Sequence, residues 1–291
     1  MTREKHMVSV LMPVYNGLPM IKASVASLIY QTYTDWECII VDDGSTDGTS
    51  EFLDTLTDTH FQVIHLSNNS GRAIARQTAL DAAHGEFLAM LDADDLYHPD
   101  KLKRQVDFLI SHPEISLVSS AMCSFGTASD LKYKRQIQTY GYQIIEYKKV
   151  LPSHACSMLR MEYARKCFYK PYLKLAEDVD FLDQYLKGRS YAVISDILYY
   201  YSEIDSVTKD KLIHYYTNGI QAGLSNIIQG LRLFISNGVK FIVGKISYPF
   251  INMETILKKR GTVLSKEELE YFNNSIQPII DNVVGKNQKH S

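Results

Sequence analysis

Short apolar runs alternate with amphipathic stretches along the first part of the chain. Buried strands are predicted at five runs that are rich in β-branched or large apolar residues and bounded by turn residues: MVSVLMPV, WECIIVDD, FQVIHLS, EFLAMLDADD and ISLVSSAMCSF. The stretches between them carry apolar residues at helical spacing, and one predicted buried face consists of Ile21, Val25, Leu28 and Ile29. The alternation predicts an α/β fold with a mostly parallel sheet and helices on both faces.

The alternation loosens after residue 125 and changes again after residue 208. The segment GTASDLKYKRQIQTYGYQ is polar, aromatic and basic, which indicates an insertion or a mobile loop. The remaining residues have a helical pattern, but basic residues and Pro249 interrupt the apolar run, so it does not predict a transmembrane helix. We therefore expect three parts, residues 1–125, residues 126–208 and a helical C-terminal extension over residues 209–291.

Composition narrows the classes of function. A chain of 291 residues that is 45% hydrophobic suits one large α/β domain or a domain with an appendage. A formal net charge of -2 gives no global basic field, so nucleic acid is not an expected partner. The 4 cysteines form no CxxC pair, which argues against a zinc site or a disulfide framework and fits a reducing cytoplasm. Pro13 breaks the first apolar run, which is too short for a signal peptide.

Polar clusters follow the first predicted strands. PVYNG comes after the first strand, DDGSTDGT after the second, NNSGR after the third and DADD after the fourth. Because ligands of open parallel sheets bind outside the carboxyl ends of the strands, these loops are expected to converge on one crevice. This convergence is the main functional signal in the sequence.

The loop DADD places Asp92, Asp94 and Asp95 together at the end of an apolar strand. Carboxylates in this position can anchor Mg²⁺ or Mn²⁺, which prefer oxygen ligands and are often shared with substrate phosphates. The alternative is a solvated turn with a helix cap near Asp95. The residues of this loop alone leave both interpretations open.

Taken in order, the segments VSVLMPVYNG, CIIVDDGSTDGT and NSGRAIARQTALDAAHGEFLAMLDADD resemble the inverting family 2 glycosyltransferases, which share the GT-A fold. The resemblance is nearly continuous over residues 1–125 and weaker up to residue 208. It implies a Rossmann-like GT-A domain with a nucleotide-sugar-binding half over residues 1–125 and an acceptor-binding half over residues 126–208.

The resemblance also implies roles for single residues on the donor side. It places the nucleoside against Pro13, Val14 and Tyr15, where the tyrosine ring offers a stacking surface for a base. It places Asp43 at an imide N–H such as that of uracil, and Arg76 near a phosphate or carbonyl group of the nucleotide.

Further roles concern the diphosphate and the acceptor. By the same resemblance Asp92 contacts the donor diphosphate, Asp94 holds Mn²⁺ or Mg²⁺, and Asp178 is the general base that deprotonates the acceptor hydroxyl. His154 and Glu177 are placed on the acceptor side, with a structural histidine and an acidic first helical turn as the open alternatives.

The implied activity is a non-processive transfer, with inversion, from a nucleotide-diphosphate donor to a hydroxyl of a glycan. A UDP-sugar is the expected donor, a glycan or lipid-linked glycan the expected acceptor, and bacterial surface polysaccharide synthesis the expected pathway. The QxxRW motif of processive relatives is absent. The segment DILYYYSEIDSVTKD, from residue 196, resembles the family's late loop. In it Ser202 stands where family members carry an arginine, a role that Lys209 or Lys211 could take over. Two alternatives stay open: a phosphoaspartate phosphatase with Asp92 as nucleophile, and a nucleotide-sugar-binding protein without catalysis.

The C-terminal extension contains a basic stretch. Between residues 212 and 262 the only acidic residue is Glu254, against the basic residues Arg232, Lys240, Lys245, Lys258, Lys259 and Arg260. Such a stretch can dock on an anionic membrane surface, which would place the protein peripherally at the inner face of the plasma membrane. Packing against the catalytic domain or against the partner in a homodimer is the alternative.

Overall fold

The computed structural model describes residues 6–126, 132–135, 141–202 and 261–284, and these ranges form one mixed sheet with helices on both faces. The strands are β1 (Val8–Val14), β2 (Trp36–Asp42), β3 (Phe61–His65), β4 (Phe87–Met90), β5 (Leu96–Tyr97), β6 (Leu117–Phe125), β7 (Lys132–Arg135), β8 (Tyr142–Glu146), β9 (Met158–Arg160), β10 (Ser190–Tyr201) and β11 (Thr262–Val263). The helices are α1 (Ile21–Ile29), α2 (Thr49–Asp54), α3 (Arg72–Ala82), α4 (Lys101–Ser111), α5 (Met161–Ala164), α6 (Glu177–Leu186), α7 (Lys266–Tyr271) and α8 (Gln277–Val284), with the π-helical segment Phe272–Ile276 between the last two.

The N-terminal half of the sheet is parallel, as the alternating pattern predicts. β1 lies between β2 and β4 and is parallel to both, and β3 continues the parallel set beyond β2. The chain therefore proceeds from β1 to one side and then crosses back to the other, which makes a topological switch point beside β1. All four strands end at the same edge.

Side chains of the central strands alternate between two cores. In β1, Val10 belongs to the core that α1, α2 and α4 cover, whereas Leu11 belongs to the core that α3, α5 and α6 cover. Helices on both faces are thereby confirmed.

The assignment of Ile29 to the buried face of α1 is wrong, because its side chain is 52% exposed. It lies eight residues after Ile21 and is rotated by about 80° from it around the helix.

The second half of the sheet is mainly antiparallel. β9 pairs with β4 and β6 in antiparallel register, and β10 lies parallel to β6 but antiparallel to β5 and β8. Within the segment of residues 126–143, predicted as an insertion or loop, the described residues include β7 and the start of β8. The family's late loop was expected from residue 196, but residues up to Tyr201 belong to β10 because Tyr199 and Tyr200 pair with both β5 and β6.

The described C-terminal residues pack against the back of the domain. Phe272 is fully buried, and its ring centroid lies 5.8 Å from that of Phe125 and 5.5 Å from that of Tyr200. The predicted C-terminal helix is confirmed here. The basic stretch, Lys209 and Lys211 as substitutes for the missing arginine, and the membrane contact assigned to the extension fall outside the described residues, apart from Gly261 and Thr262. No helix in the described ranges is long and apolar enough to cross a membrane.

Candidate active site

Four loops meet at the carboxyl edge of the parallel strands and line a pocket of about 620 Å³, which we call the donor pocket after the role that the sequence resemblance implies for its residues. It contains residues from the loops after β1, β2, β3 and β4, as the convergence of polar clusters predicts. All of the predicted donor-side residues and the predicted metal ligand line it: Pro13, Val14, Tyr15, Asp43, Arg76, Asp92 and Asp94. The tyrosine ring at its mouth is about half exposed, so it is available to a ligand.

Hydrogen bonds between loops fix the wall of the donor pocket. The Asn16 N–H donates to Ser45 Oγ over 2.8 Å, and the Thr46 N–H donates to Asn16 Oδ1 over 2.8 Å. The Gly17 N–H donates to Thr49 Oγ1 over 3.0 Å. These bonds join the loop after β1 to the loop after β2 and to the start of α2, so the serine and threonine residues of GSTDGT hold the loops together.

Asp43 connects the loop after β2 to the loop after β3. Its two carboxylate oxygens accept hydrogen bonds from the Ser70 N–H (2.7 Å) and the Gly71 N–H (2.8 Å). Gly71 has φ +94°, a conformation that a residue with a Cβ rarely adopts, and directly precedes α3. Asp43 thus lies in the donor pocket with its carboxylate held by backbone groups, while each oxygen retains a lone pair for a ligand.

The neighbouring Asp42 has a different environment. It is buried and accepts hydrogen bonds from Ser45, Ser50 and His65 on the far side of the loop. Burial opposes ionisation of this carboxyl, but these hydrogen bonds prevail and lower its pKa. Of the two adjacent carboxylates, only Asp43 lines the donor pocket.

Arg76 is the centre of the site's electrostatics. Its guanidinium is almost fully buried, with Nη2 2.9 Å from Asp92 Oδ1 and Nη1 in contact with Glu177 Oε1. Burial would lower the pKa of Arg76, but the carboxylates around it raise the pKa and keep the side chain charged. Arg72 lies one helical turn earlier, with Nε 3.5 Å from Glu177 Oε1.

Glu177 lies behind Arg76 instead of opening on a pocket. Its side chain is fully buried, and burial raises its pKa against the opposing effect of Arg76 and Arg72. Oε2 of Glu177 and Nε of Arg76 have no hydrogen-bond partner among the described residues. The position of Glu177 favours an indirect role through Arg76 over the direct acceptor contact that the resemblance implies.

A second pocket of about 390 Å³ adjoins the donor pocket, and we call it the acceptor pocket after the role that the sequence resemblance implies for Asp178 and His154. The two share the side chains of Arg76, Asp92 and Tyr201 as a common wall. Asp178 and His154, both predicted for the acceptor side, line this second pocket. Asp178 is the second residue of α6 and remains partly exposed.

His154 has the character of a packed histidine at the edge of the acceptor pocket. It is 5% exposed, and its Nε2 lies 2.8 Å from the Tyr169 hydroxyl. Burial, together with the positive charge of Arg76, lowers the pKa of His154 to about 3. The imidazole is therefore neutral near pH 7 and can contact a ligand only as a neutral hydrogen-bonding group.

Asp95 differs from the two carboxylates before it. It is fully buried, and its oxygens accept hydrogen bonds from the Tyr199 hydroxyl (2.6 Å) and the Ser202 N–H (2.8 Å). Burial and the neighbouring carboxylates Asp94 and Asp92 raise its pKa well above the usual range. The alternative of a helix cap near Asp95 is wrong, because α4 begins only at Lys101.

The oxygen atoms of Asp92 and Asp94 fit a divalent cation that is shared with a substrate. Within the part of the chain that the structure describes, no group of three or more His, Cys, Asp or Glu side chains is arranged to hold a metal ion. A site with one or two carboxylates, completed by diphosphate oxygens and water, is the usual arrangement for Mg²⁺ at phosphates. The donor set is thus suited to Mg²⁺ or Mn²⁺ only together with a ligand.

Sequence reasoning missed the tyrosines of β10. Tyr201 contributes to the common wall, and Tyr199 contacts the loop that carries Asp92. The three consecutive tyrosines end a strand, in which the first and third side chains point to the same face. Interpreting this run as part of a loop concealed that alternation.

The chain matches known proteins over the region that builds this site. A family model described as "Glycosyl transferase family 2" matches residues 9–168, which is more than half of the chain. TuaG of Bacillus subtilis, named as a teichuronic acid biosynthesis glycosyltransferase, is 44% identical over 112 residues, 38% of this chain. WfgD of Escherichia coli, a UDP-Glc:alpha-D-GlcNAc-diphosphoundecaprenol beta-1,3-glucosyltransferase, is 36% identical over 109 residues, also 38% of this chain.

These matches span 44% of the length of TuaG and 43% of the length of WfgD, so they concern less than half of each relative. Among solved structures, residues 1–349 of S. aureus TarS in complex with UDP-GlcNAc are 21% identical, with a TM-score of 0.57. That likeness covers 95% of this chain and 81% of the TarS chain and shows a common fold.

Proposed function

Because the chain belongs to glycosyltransferase family 2 and has its GT-A fold, we propose that it transfers a sugar, with inversion, from a UDP-sugar to a hydroxyl group of a glycan. The observation that carries the proposal is the common wall of Arg76, Asp92 and Tyr201 between the donor and acceptor pockets. A transferase needs two ligands on either side of one reaction centre, and this arrangement provides the two places. A phosphoaspartate phosphatase has no use for them, and the family match does not support that alternative.

On the donor side, we assign the nucleoside to the loop after β1 and the diphosphate to the opposite wall. Tyr15 offers its exposed ring to the base, and Asp43 lies in the same pocket as an acceptor for an imide N–H. Arg76 brings a positive charge to the diphosphate and holds Asp92 at the wall. UDP-Glc in the name of WfgD and UDP-GlcNAc in the TarS complex support a uracil nucleotide.

Asp94, with Asp92 beside it, would hold Mg²⁺ or Mn²⁺ at the diphosphate. The cation, when bound, neutralises charge that develops on the leaving diphosphate. The chain's own contribution is to supply carboxylate oxygens at the pocket wall and to keep them oriented.

On the acceptor side, Asp178 takes the proton from the attacking hydroxyl. Inversion requires attack on the anomeric carbon from the face opposite the departing diphosphate, so the base and the diphosphate site must lie on opposite sides of the sugar. Asp178 lines the acceptor pocket and does not line the donor pocket, which suits this requirement. His154 adds a neutral hydrogen-bonding group to the same pocket.

We assign residues 1–125 to donor binding and residues 126–208 to acceptor binding, and we place the reaction in bacterial surface polysaccharide synthesis at the cytoplasmic side of the membrane. The names of TuaG and WfgD, which refer to teichuronic acid and to a diphosphoundecaprenol acceptor, support a cell-surface glycan and a lipid-linked acceptor.

Binding is tested by isothermal titration of the full chain with UDP and with GDP, each in Mn²⁺ and in EDTA. We expect UDP to bind more tightly than GDP and Mn²⁺ to strengthen binding, because Asp94 and Asp92 complete a site only with diphosphate oxygens. Equal binding of both nucleotides would reject the uracil assignment, and no binding of either would reject the donor pocket.

Catalysis is tested with Asp178→Asn and the matched variant Asp180→Asn. Asp180 lies on the same helix, but its carboxylate is 2.6 Å from Lys170 Nζ and does not line either pocket. We expect Asp178→Asn to lower transfer from a UDP-sugar by at least about 100-fold with UDP affinity unchanged, and Asp180→Asn to retain transfer. Transfer that survives Asp178→Asn would exclude this base, and a wild-type chain that binds UDP without transferring any sugar would be a binding protein.

A further inference from the structure

The loop of residues 91–95, which we call the carboxylate loop, carries Asp92 and Asp94 between β4 and β5. Its backbone is hydrogen-bonded to three other parts of the fold, which are β1, α1 and β10. The Leu91 N–H donates to the Leu11 carbonyl (3.0 Å), and the Ser24 hydroxyl donates to the Ala93 carbonyl (2.9 Å). The Asp95 N–H closes the loop on itself by donating to the Asp92 carbonyl over 3.0 Å.

One hydroxyl group joins the two ends of this loop. Tyr199 is fully buried in β10, and its hydroxyl donates to Asp95 Oδ2 over 2.6 Å. The hydroxyl oxygen of Tyr199 also accepts a hydrogen bond from the Asp92 N–H over 3.3 Å. The other oxygen of Asp95 accepts from the Ser202 N–H over 2.8 Å, so the loop is attached to the end of β10 at two points.

The three carboxylates of the loop therefore lie in two different environments. Asp95 is turned into the protein and used as an anchor, whereas Asp92 and Asp94 line the donor pocket. A loop of this kind would otherwise lose conformational entropy when a ligand orders it, and that loss would weaken binding. Because these hydrogen bonds already order the carboxylate loop before a ligand binds, less conformational entropy is lost on binding.

We propose that Tyr199 is a positioning residue for the diphosphate end of the donor, acting through Asp92 and Asp95. The inference rests on the proposed function, because it requires Asp92 and Asp94 to face the diphosphate. The hydroxyl of Tyr199 supplies one acceptor and one donor and so bonds to both ends of the loop. The nucleoside end is held by loops that Tyr199 does not bond.

Tyr199→Phe removes only this hydroxyl, and Tyr185→Phe is a matched control. Tyr185 is also fully buried, and its hydroxyl likewise accepts from an N–H, that of Arg160 (3.0 Å), and donates mainly to the Ser116 carbonyl (2.6 Å), with the Arg160 carbonyl at 3.4 Å. Neither of its partners lines the donor pocket. The two variants therefore lose similar bonds at different places.

The experiment is isothermal titration of the wild type and both variants with UDP in Mn²⁺ and with uridine, after urea unfolding has verified that each chain is folded. We expect Tyr199→Phe to raise the Kd for UDP in Mn²⁺ about five- to tenfold, as the loss of one or two hydrogen bonds predicts, with the Kd for uridine within about twofold. Tyr185→Phe should change neither Kd. If Tyr199→Phe does not fold, Asp95→Asn, which replaces one acceptor oxygen by an amide, should give the same split.

The possible results distinguish the positioning role of Tyr199 from the proposed function on which it rests. A wild-type chain that does not bind UDP in Mn²⁺ would overturn the proposed function. A wild-type chain that binds, with Tyr199→Phe binding UDP equally well, would overturn the positioning role alone. An equal loss of UDP and uridine affinity would indicate a general structural role and would also overturn the inference.

Discussion

The guanidinium group of Arg76 has almost no contact with water, yet it holds carboxylates on two sides. Asp92 belongs to the loop after β4, and Glu177 begins α6, so a single side chain connects the parallel part of the sheet to α6. A buried charge without its partner is costly because the low-dielectric interior cannot solvate it. The site therefore depends on Arg76 for its integrity as well as for its charge.

Arg76→Ala should destabilise the fold by about 3–5 kcal/mol, since it leaves Glu177 buried with only the more exposed Arg72 as a cation. Arg104→Ala is the matched control, because Arg104 pairs with Asp196 on the surface, where a lost ion pair costs about 0–1 kcal/mol. Urea unfolding midpoints of both variants measure the difference. Equal midpoints would mean that the Arg76–Glu177 pair is not buried in solution.

The buried imidazole of His154 predicts a pH dependence of stability. Its pKa is about 3 in the folded chain against 6.5 without burial, so the unfolded state binds the proton more readily between these values. Stability from this group is complete above about pH 6.5 and falls by up to about 1.4 kcal/mol per pH unit as the pH drops toward 3.

His154→Gln should flatten the fall of the unfolding free energy between pH 6.5 and pH 4, as measured by urea titration at several pH values. His84→Gln, at an exposed histidine, is the control variant. A slope that both variants share with the wild type would show that His154 does not titrate as a buried group.

Among the elements, α1 shows how a helical pattern selects its buried side. Ile21, Val25 and Leu28 lie in the core below the sheet, while the next residue, Ile29, faces water. Neighbouring residues of a helix differ by about 100° in direction, so two adjacent apolar side chains need not share an environment.

Leu28→Ala should cost about 2–5 kcal/mol of unfolding free energy, because a fully buried side chain leaves a cavity. Ile29→Ala should change the unfolding free energy by about 0.5 kcal/mol or less, since its side chain is 52% exposed. Thermal or urea unfolding of the two variants compares them directly. A large cost at Ile29 would imply that a partner or another segment covers that face.

The long, continuously apolar strands of the parallel half were readable from the sequence, and so were the helices between them. The 2-residue strand β5 (Leu96–Tyr97) was not predicted. Two residues are too few to show a hydrophobic period, and such a strand depends on neighbours that are distant in sequence.

At the scale of the whole molecule, a third apolar cluster attaches the C-terminal segment to the α/β domain. Phe272 and Ile276 from the segment contact this cluster, which also includes Phe125 and Tyr200. No lining residue of the donor or acceptor pocket belongs to the buried set of this cluster, and Met20 is the lining residue of the donor pocket that packs against it. Loss of the cluster should therefore release the segment before it disturbs the site.

Phe272→Ala should increase amide hydrogen exchange in residues 261–284, because a fully buried aromatic side chain contributes about 3–5 kcal/mol. Exchange in β1 and β2 should change little. Leu269→Ala, at a partly exposed position of the same segment, is the control and should behave like the wild type. Faster exchange throughout the chain in Phe272→Ala would mean that the segment and the domain unfold as one unit.

The sequence by itself determined the parallel half of the fold and the meeting of four polar loops, because hydrophobic period and turn chemistry are local properties. It also determined which residues resemble those of a family 2 site. Tertiary structure alone decided how these residues are used. It turned Asp95 inward to Tyr199 and Ser202 while Asp92 stayed at the pocket wall, and it withdrew Glu177 behind Arg76. Such choices depend on burial and on partners about a hundred residues away, which no local pattern records.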